Sequence, residues 1–258
     1  MKQILFVGAV VLSFIFVKAW FDSHSAAPDT SDITLKIVPG RTLRVEVPEA
    51  FADGSEKKTF EMRIPDEYTP DKPVPLLVWF APGGGSDRVG SIPPIVDFKK
   101  FLLVALPYPG NNLPRLAIKA GIDRIDRFWA YERPMLQWMQ MLVPNISDRV
   151  RIAAGFSSGA HLIGSGLDRN WAGFTDFFTA YVLHEGGYAP EMTYHGMRNE
   201  HKVLVTYGLQ NNSYGKVVVR KMKKAHKHPD VRRLPHTGHD MSQEAIETIR
   251  NWIETELP

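Results

Sequence analysis

Gly155-Phe156-Ser157-Ser158-Gly159 sets a serine between two glycines in the pattern G-x-S-x-G. The run Val150–Ala154 before it reads as a buried strand, and the residues from Ala160 onward read as a helix. In that setting the central serine stands on a tight strand-to-helix turn, and the flanking glycines let neighbouring backbone pass without a Cβ clash. Ser157 is therefore the candidate nucleophile. Ser158, at the start of the helix, offers its backbone N–H to a developing oxyanion. The plainer alternative is an ordinary glycine-serine turn. A nucleophile needs partners that such a turn does not.

Two further stretches supply them. Ala81-Pro82-Gly83-Gly84-Gly85-Ser86 directly follows a continuous apolar run, Val74–Phe80. Its three glycines free the backbone to turn N–H groups toward a substrate oxygen, and the stretch resembles the HGGG-type loop of esterases and lipases, with Pro82 where the histidine stands. Gly84 and Gly85 are the candidate donors. Late in the chain, His236-Thr237-Gly238-His239-Asp240-Met241 lies between the last strand candidate and the last helix candidate. His239 follows a glycine and precedes the helix, so it is preferred to His236 as the general base. His161, one turn after Ser157, reads as a packing residue.

The elements that must position these groups follow from hydrophobic patterning. Phe60–Ile64 alternates as a half-buried strand does, and Ile33–Val38 and Leu43–Val47 flank a Pro39-Gly40 turn. Val74–Phe80, Phe101–Leu106, Val150–Ala154, Phe178–Leu183 and Val203–Tyr207 are continuous apolar runs, the signature of parallel strands buried on both faces. Val231–Leu234 is a last candidate strand. Helical spacing appears over 128–142, where Pro134 marks a break or a first turn, and over 214–226 and 241–257. An antiparallel start followed by alternating β and α predicts a doubly wound, mostly parallel α/β sheet.

Composition bounds the rest. The chain has 258 residues, a net charge of +3, nine histidines and no cysteine. So small a charge gives no case for nucleic acid. The absence of cysteine removes disulfides, thiolate metal sites and lipidated cysteine anchors. His226 and His228 are surrounded by lysines with no third ligand nearby, and the basic run Arg220–His228 reads as a solvated helix face. No glycine fingerprint for a dinucleotide or a phosphate is present. Neither a metal nor a cofactor is expected.

Met1-Lys2-Gln3 is a short basic start, and Ile4–Val17 is almost wholly apolar. That run is shorter than the roughly 20 residues of a membrane span, so residues 1–27 read as a signal peptide and linker ahead of a domain over 28–258. The alternative is an uncleaved anchor over residues 4–20. Either reading exports the domain, to the periplasm or outside the cell.

Glycine loop, G-x-S-x-G and terminal histidine, in that order, resemble the α/β-hydrolase superfamily over nearly everything from Ile33 to the C-terminus. Within it the chain is similar to small secreted esterases of the polyester-depolymerase and feruloyl-esterase kind. The resemblance implies an acid after the strand Val203–Tyr207, yet that position holds Asn211, with no carboxylate near it. Some members place the acid one strand earlier, where Glu185 stands. Glu185 fits that role, or that of a strand-end residue binding backbone or solvent. Asp168 and Asp176 are weaker candidates, and Asp240 adjoins His239 too closely for a good side-chain geometry.

The resemblance implies a serine esterase acting through an acyl-enzyme, without cofactor. Glu185 to His201 is too short for a large helical lid, so the site is expected to be open to an acylated polysaccharide, a polyester or a lipid-like ester. Tyr108, Trp129 and Tyr188 lie in or near loops that reach the catalytic edge, and each reads as packing or as a pocket wall. Two other readings stay open: a non-catalytic binding protein that kept the fold, motivated by Asn211, and a serine peptidase on the same scaffold.

Overall fold

The computed structural model describes residues 37–49, 58–109, 126–170, 173–188, 192–211 and 214–257. The expected signal peptide or anchor, the linker and most of Ile33–Val38 lie outside these residues. Among the described residues no helix is long and apolar enough to cross a membrane.

An eight-stranded sheet forms the centre: β1 (Thr42–Glu46), β2 (Thr59–Arg63), β3 (Val74–Phe80), β4 (Leu102–Ala105), β5 (Ile146–Phe156), β6 (Ala180–His184), β7 (Lys202–Gly208) and β8 (Asp230–Leu234). The spatial order is β1-β2-β4-β3-β5-β6-β7-β8. β1 and β2 pair antiparallel and β2 meets β4 antiparallel, while β4 through β8 run parallel. The continuous apolar runs became the central strands, and they are covered on both faces. Leu77 and Trp79 of β3 pack with Ile249, Trp252 and Ile253 of the last helix. On the other face, Phe80 meets the rings of Phe174 and Phe178 at 6.4 and 6.3 Å.

The helices are α1 (Asp126–Leu142), α2 (Ser158–Arg169), the short α3 (Phe174–Phe177), α4 (Tyr214–Lys224) and α5 (Gln243–Glu256). Pro134 does not break α1; it lies inside the helix. An interior proline costs a helix about 3 kcal/mol. Burial of Phe128, Trp129, Met135, Leu136, Trp138 and Met139 along one face outweighs that. His226, just past the end of α4, lies in the left-handed region at φ 56°, a conformation common where helices terminate. Ser242 caps α5 by accepting from the Ala245 N–H.

The chain runs from β3 outward to β4, then returns to place β5 on the other side of β3. Open α/β sheets form a crevice at such a switch, outside the carboxyl ends of the strands. Phe80 at the end of β3 pairs with Gly155 of β5, and Phe156 pairs with His184 of β6. The glycine loop, the serine turn and the Glu185 turn therefore leave the sheet side by side.

Candidate active site

Ser157 sits between β5 and α2 at φ 54°, ψ −114°. A non-glycine residue held there stores roughly 1–3 kcal/mol of strain, which neighbours must enforce. They do so by close approach. A Cβ on Gly159 would fall inside the contact radius of the Phe80 carbonyl oxygen, and one on Gly155 would meet the Gly159 carbonyl carbon at 2.6 Å. The Ser157 N–H is fixed to His184 O at 2.9 Å. Gly159→Ala is expected to cost about 3 kcal/mol or more, or to prevent folding. Urea unfolding checks this, and an unchanged midpoint would contradict the packing described.

The structure brings His239 to the serine. Its Nε2 lies 2.9 Å from Ser157 Oγ. The half-exposed ring rests on Phe156, centroid to centroid 5.1 Å. The loop carrying it is pressed against the end of β7, where the Gly208 backbone touches Thr237 O too closely for any Cβ. Thr237 Oγ1 bonds Ser242 Oγ and Glu244 Oε2 at 2.5 and 2.9 Å, fastening the loop to the start of α5. His236, the less favoured candidate, is exposed and gives its N–H to Glu244 at 3.0 Å.

Glu185 also arrives at this cluster. It leaves β6 with φ 52°, a second strained non-glycine residue, and its side chain is fully buried. A buried carboxylate needs donors. The Gly208 N–H donates to Oε1, and Asn211 Nδ2 donates to Oε2 at 2.9 Å. His239 Nδ1 lies 3.6 Å from the same Oε2 and 3.4 Å from Asn211 Nδ2. The first distance is long for a hydrogen bond, as catalytic contacts often are before substrate binds. The residue at the position expected for an acid thus holds the carboxylate that arrives from the neighbouring strand.

The other acidic candidates are engaged elsewhere. Asp168 accepts from the Thr193 and Tyr194 N–H groups and Thr193 Oγ1. Asp176 pairs with Arg198 at 3.0 Å.

The glycine loop lies against the turn: Ser158 Oγ donates to Gly83 O at 3.0 Å. Among the expected oxyanion donors, the Ser158 N–H is in the first turn of α2, where a helix leaves its amides unpaired. Gly84 is exposed at the loop tip. Gly85 departs from expectation, because its N–H turns back to Pro82 O at 3.2 Å. The Tyr108 ring occupies the space a side chain at 85 would need.

Tyr108 is buried and bonds Ala81 O at 2.7 Å, so it supports the loop. Trp129 is buried among Phe174, Phe177 and Phe178, a packing role. Tyr188 is half-buried, with Lys221 Nζ 5.1 Å from its ring centre. The described residues between β6 and β7 form turns and no helix.

His161 is buried beside this site, with Nδ1 2.8 Å from Tyr188 O. Burial lowers its pKa to about 4 from the ordinary 6.5, against the raising effect of that backbone contact. Below pH 6.5 the unfolded chain takes up a proton that the folded protein refuses. Stability is therefore lost as pH falls from 6.5 to about 4, by roughly 3 kcal/mol from this group. Burial lowers His184 and His201 too, adding in the same direction. Urea unfolding at pH 7 and 4.5 should show the loss, smaller in His161→Asn; an equal loss in the variant would contradict it.

Sequence reasoning passed over His184 and saw Asn211 only as a missing acid. A histidine directly after the apolar run Phe178–Leu183 was the available signal.

No protein-family model matches the chain, and no curated protein matches it by sequence. Solved structures do. A Pyrococcus horikoshii acylaminoacyl peptidase aligns at TM-score 0.61 and 10% identity over 85% of this chain and 42% of its own. Porphyromonas gingivalis dipeptidyl peptidase 4 aligns at TM-score 0.59 and 12% identity over 86% of this chain and 36% of its own. The feruloyl esterase module from Clostridium thermocellum, solved with sinapinate, aligns at TM-score 0.57 and 12% identity, over 85% of this chain and 87% of its own. The chain spans less than half the length of either peptidase and most of the esterase module. At these identities the likeness is one of fold.

Proposed function

We propose that this chain, which has the α/β-hydrolase fold, is an exported serine hydrolase of carboxylic esters. The observation that carries the reading is the 2.9 Å contact between His239 Nε2 and Ser157 Oγ. His239 takes the Ser157 proton as Oγ attacks the ester carbonyl. Gly84 and Ser158 N–H groups receive the oxyanion, and Gly85 joins if its turn onto Pro82 opens. The alcohol leaves with the proton from His239. Water, deprotonated by the same histidine, then releases the acid and restores Ser157. Glu185 faces Nδ1, favours the tautomer with hydrogen there, and stabilises the imidazolium.

The absence of a helix among the described residues between β6 and β7 supports an open site suited to a bulky ester. An acylated polysaccharide or a polyester is the substrate class proposed. Export rests on the basic and apolar start of the sequence. A second reading, a binding protein that kept the fold, is favoured by one observation: Asn211 Nδ2 lies nearer His239 Nδ1 than Glu185 does. A substrate panel separates the readings. The esterase turns over p-nitrophenyl acetate, p-nitrophenyl butyrate and methyl ferulate, and cleaves aminoacyl p-nitroanilides far more slowly. Preference for the anilides would make it a peptidase, and no turnover of either class would favour the binding protein.

A further inference from the structure

His184 touches no reacting group, yet its ring lies at the junction of three strand ends. It is 0% exposed, at the last position of β6 and directly before Glu185. Its Nε2 lies 2.7 Å from the carbonyl oxygen of Asp240, the residue that follows His239. A carbonyl can only accept, so Nε2 carries a hydrogen. Its Nδ1 lies 2.8 Å from Thr206 Oγ1 on β7. With Nε2 protonated in a neutral ring, Nδ1 accepts and the threonine hydroxyl donates. Burial keeps this imidazole below its ordinary pKa, so the neutral tautomer holds near pH 7.

We infer that His184 is a positioning residue, whose Nε2–H bond to Asp240 O sets the place of His239 against Ser157. A second observation agrees. Phe156, between the turn glycine and Ser157, has the His184 ring 5.2 Å away and the His239 ring 5.1 Å away. The buried histidine thus fixes the loop through the backbone and, through Phe156, the surface on which the catalytic ring rests. Apart from the contacts of the His239 side chain itself, the ties described for this loop lie on either side. Thr237 is fastened to Ser242 and Glu244, and Met241 packs on the apolar core. His184 holds the segment between them, which includes His239.

This inference rests on the serine-hydrolase reading for its catalytic consequence, not for its structural one. The test compares His184→Phe with His184→Gln in the full chain. Phenylalanine keeps the ring against Phe156 and deletes both hydrogen bonds. Glutamine gives up the ring and keeps a donor able to reach Asp240 O. Misplacing a catalytic group by about 1 Å costs on the order of 10²-fold. The expected result is a kcat for p-nitrophenyl butyrate about 30- to 100-fold lower in the phenylalanine variant, with KM within about 2-fold, and a loss of only about 5-fold in the glutamine variant.

Hydrogen exchange over residues 236–241 is expected to quicken in the phenylalanine variant and stay slow in the glutamine variant. The reverse order of activities would mean that ring packing, and not the bond to Asp240 O, sets the place of His239, and overturns the inference. A folded glutamine variant with fast exchange and lost activity overturns it also, even where the phenylalanine variant does not fold. A wild type without esterase activity overturns the proposed function instead, and the exchange comparison still decides the role of His184.

Discussion

Ser157→Ala is expected to lower kcat/KM for p-nitrophenyl butyrate by at least about 10⁴-fold, with the fold and thermal stability retained. Losing the nucleophile of a serine hydrolase removes the covalent route entirely. What remains is oxyanion stabilisation and substrate binding, a small remnant of the whole. The substitution is structurally mild because Oγ makes one described contact, with His239, on a partly buried residue. Alanine at φ 54° keeps the same backbone strain as serine, so Cβ geometry does not change. A second expectation is attached: Ser158→Ala must not reproduce the loss, since its hydroxyl is turned to Gly83 O and its amide stays in place. Initial rates on purified, folded variants check both. Retention of more than a tenth of wild-type activity in Ser157→Ala would place the chemistry elsewhere.

The second large effect is expected at Glu185. Glu185→Gln is predicted to lower kcat by about 10²- to 10⁴-fold, the upper figure being the cost of an amide for the acid in a serine protease. Three consequences act together. The negative charge facing His239 Nδ1 disappears, and with it the stabilisation of the imidazolium. The amide end can present an N–H to Nδ1, which favours the wrong tautomer. One of the two donors on the present carboxylate, Gly208 N–H or Asn211 Nδ2, then meets another donor.

Asn211 supplies the control. Asn211→Asp added to Glu185→Gln puts a carboxylate within reach of the same histidine and is expected to recover at least about 10-fold. Asn211→Asp alone crowds two carboxylates together, so one must take a proton; no gain is expected from it. A Glu185→Gln enzyme within about 3-fold of wild type would mean that the 3.6 Å approach to His239 never tightens.

Much of the scaffold was legible in the sequence, and for a physical reason. Strands buried on both faces need unbroken apolar runs, so Val74–Phe80 and Val203–Tyr207 announce themselves without any knowledge of their neighbours. Each of the three chemical motifs is tied to an element end, and the order of elements places those ends on one edge of the sheet. The meeting of Ser157 with His239 was legible on that basis. Pro134 misled, because a local rule about helix interiors was overridden by burial along the whole of α1.

The pairing of Glu185 with Asn211 was harder to read, because it depends on register. Glu185 and Asn211 lie in the turns after different strands, β6 and β7, and nothing local says that one donates to the other. Likewise His184 reaches Thr206 only because those two residues are paired across β6 and β7. Gly85 is a similar case: the space beside it is filled by a tyrosine 23 positions later, in a segment that periodicity alone reads as a strand exit.

The most direct measurement of the central claim is active-site labelling. The folded protein is treated with a fluorophosphonate probe near neutral pH, digested, and mapped by mass spectrometry. One adduct per chain is expected, on Ser157, and none in Ser157→Ala. A folded protein that takes no label, or takes it on another residue, would contradict the assignment of Ser157 as a nucleophile activated by His239.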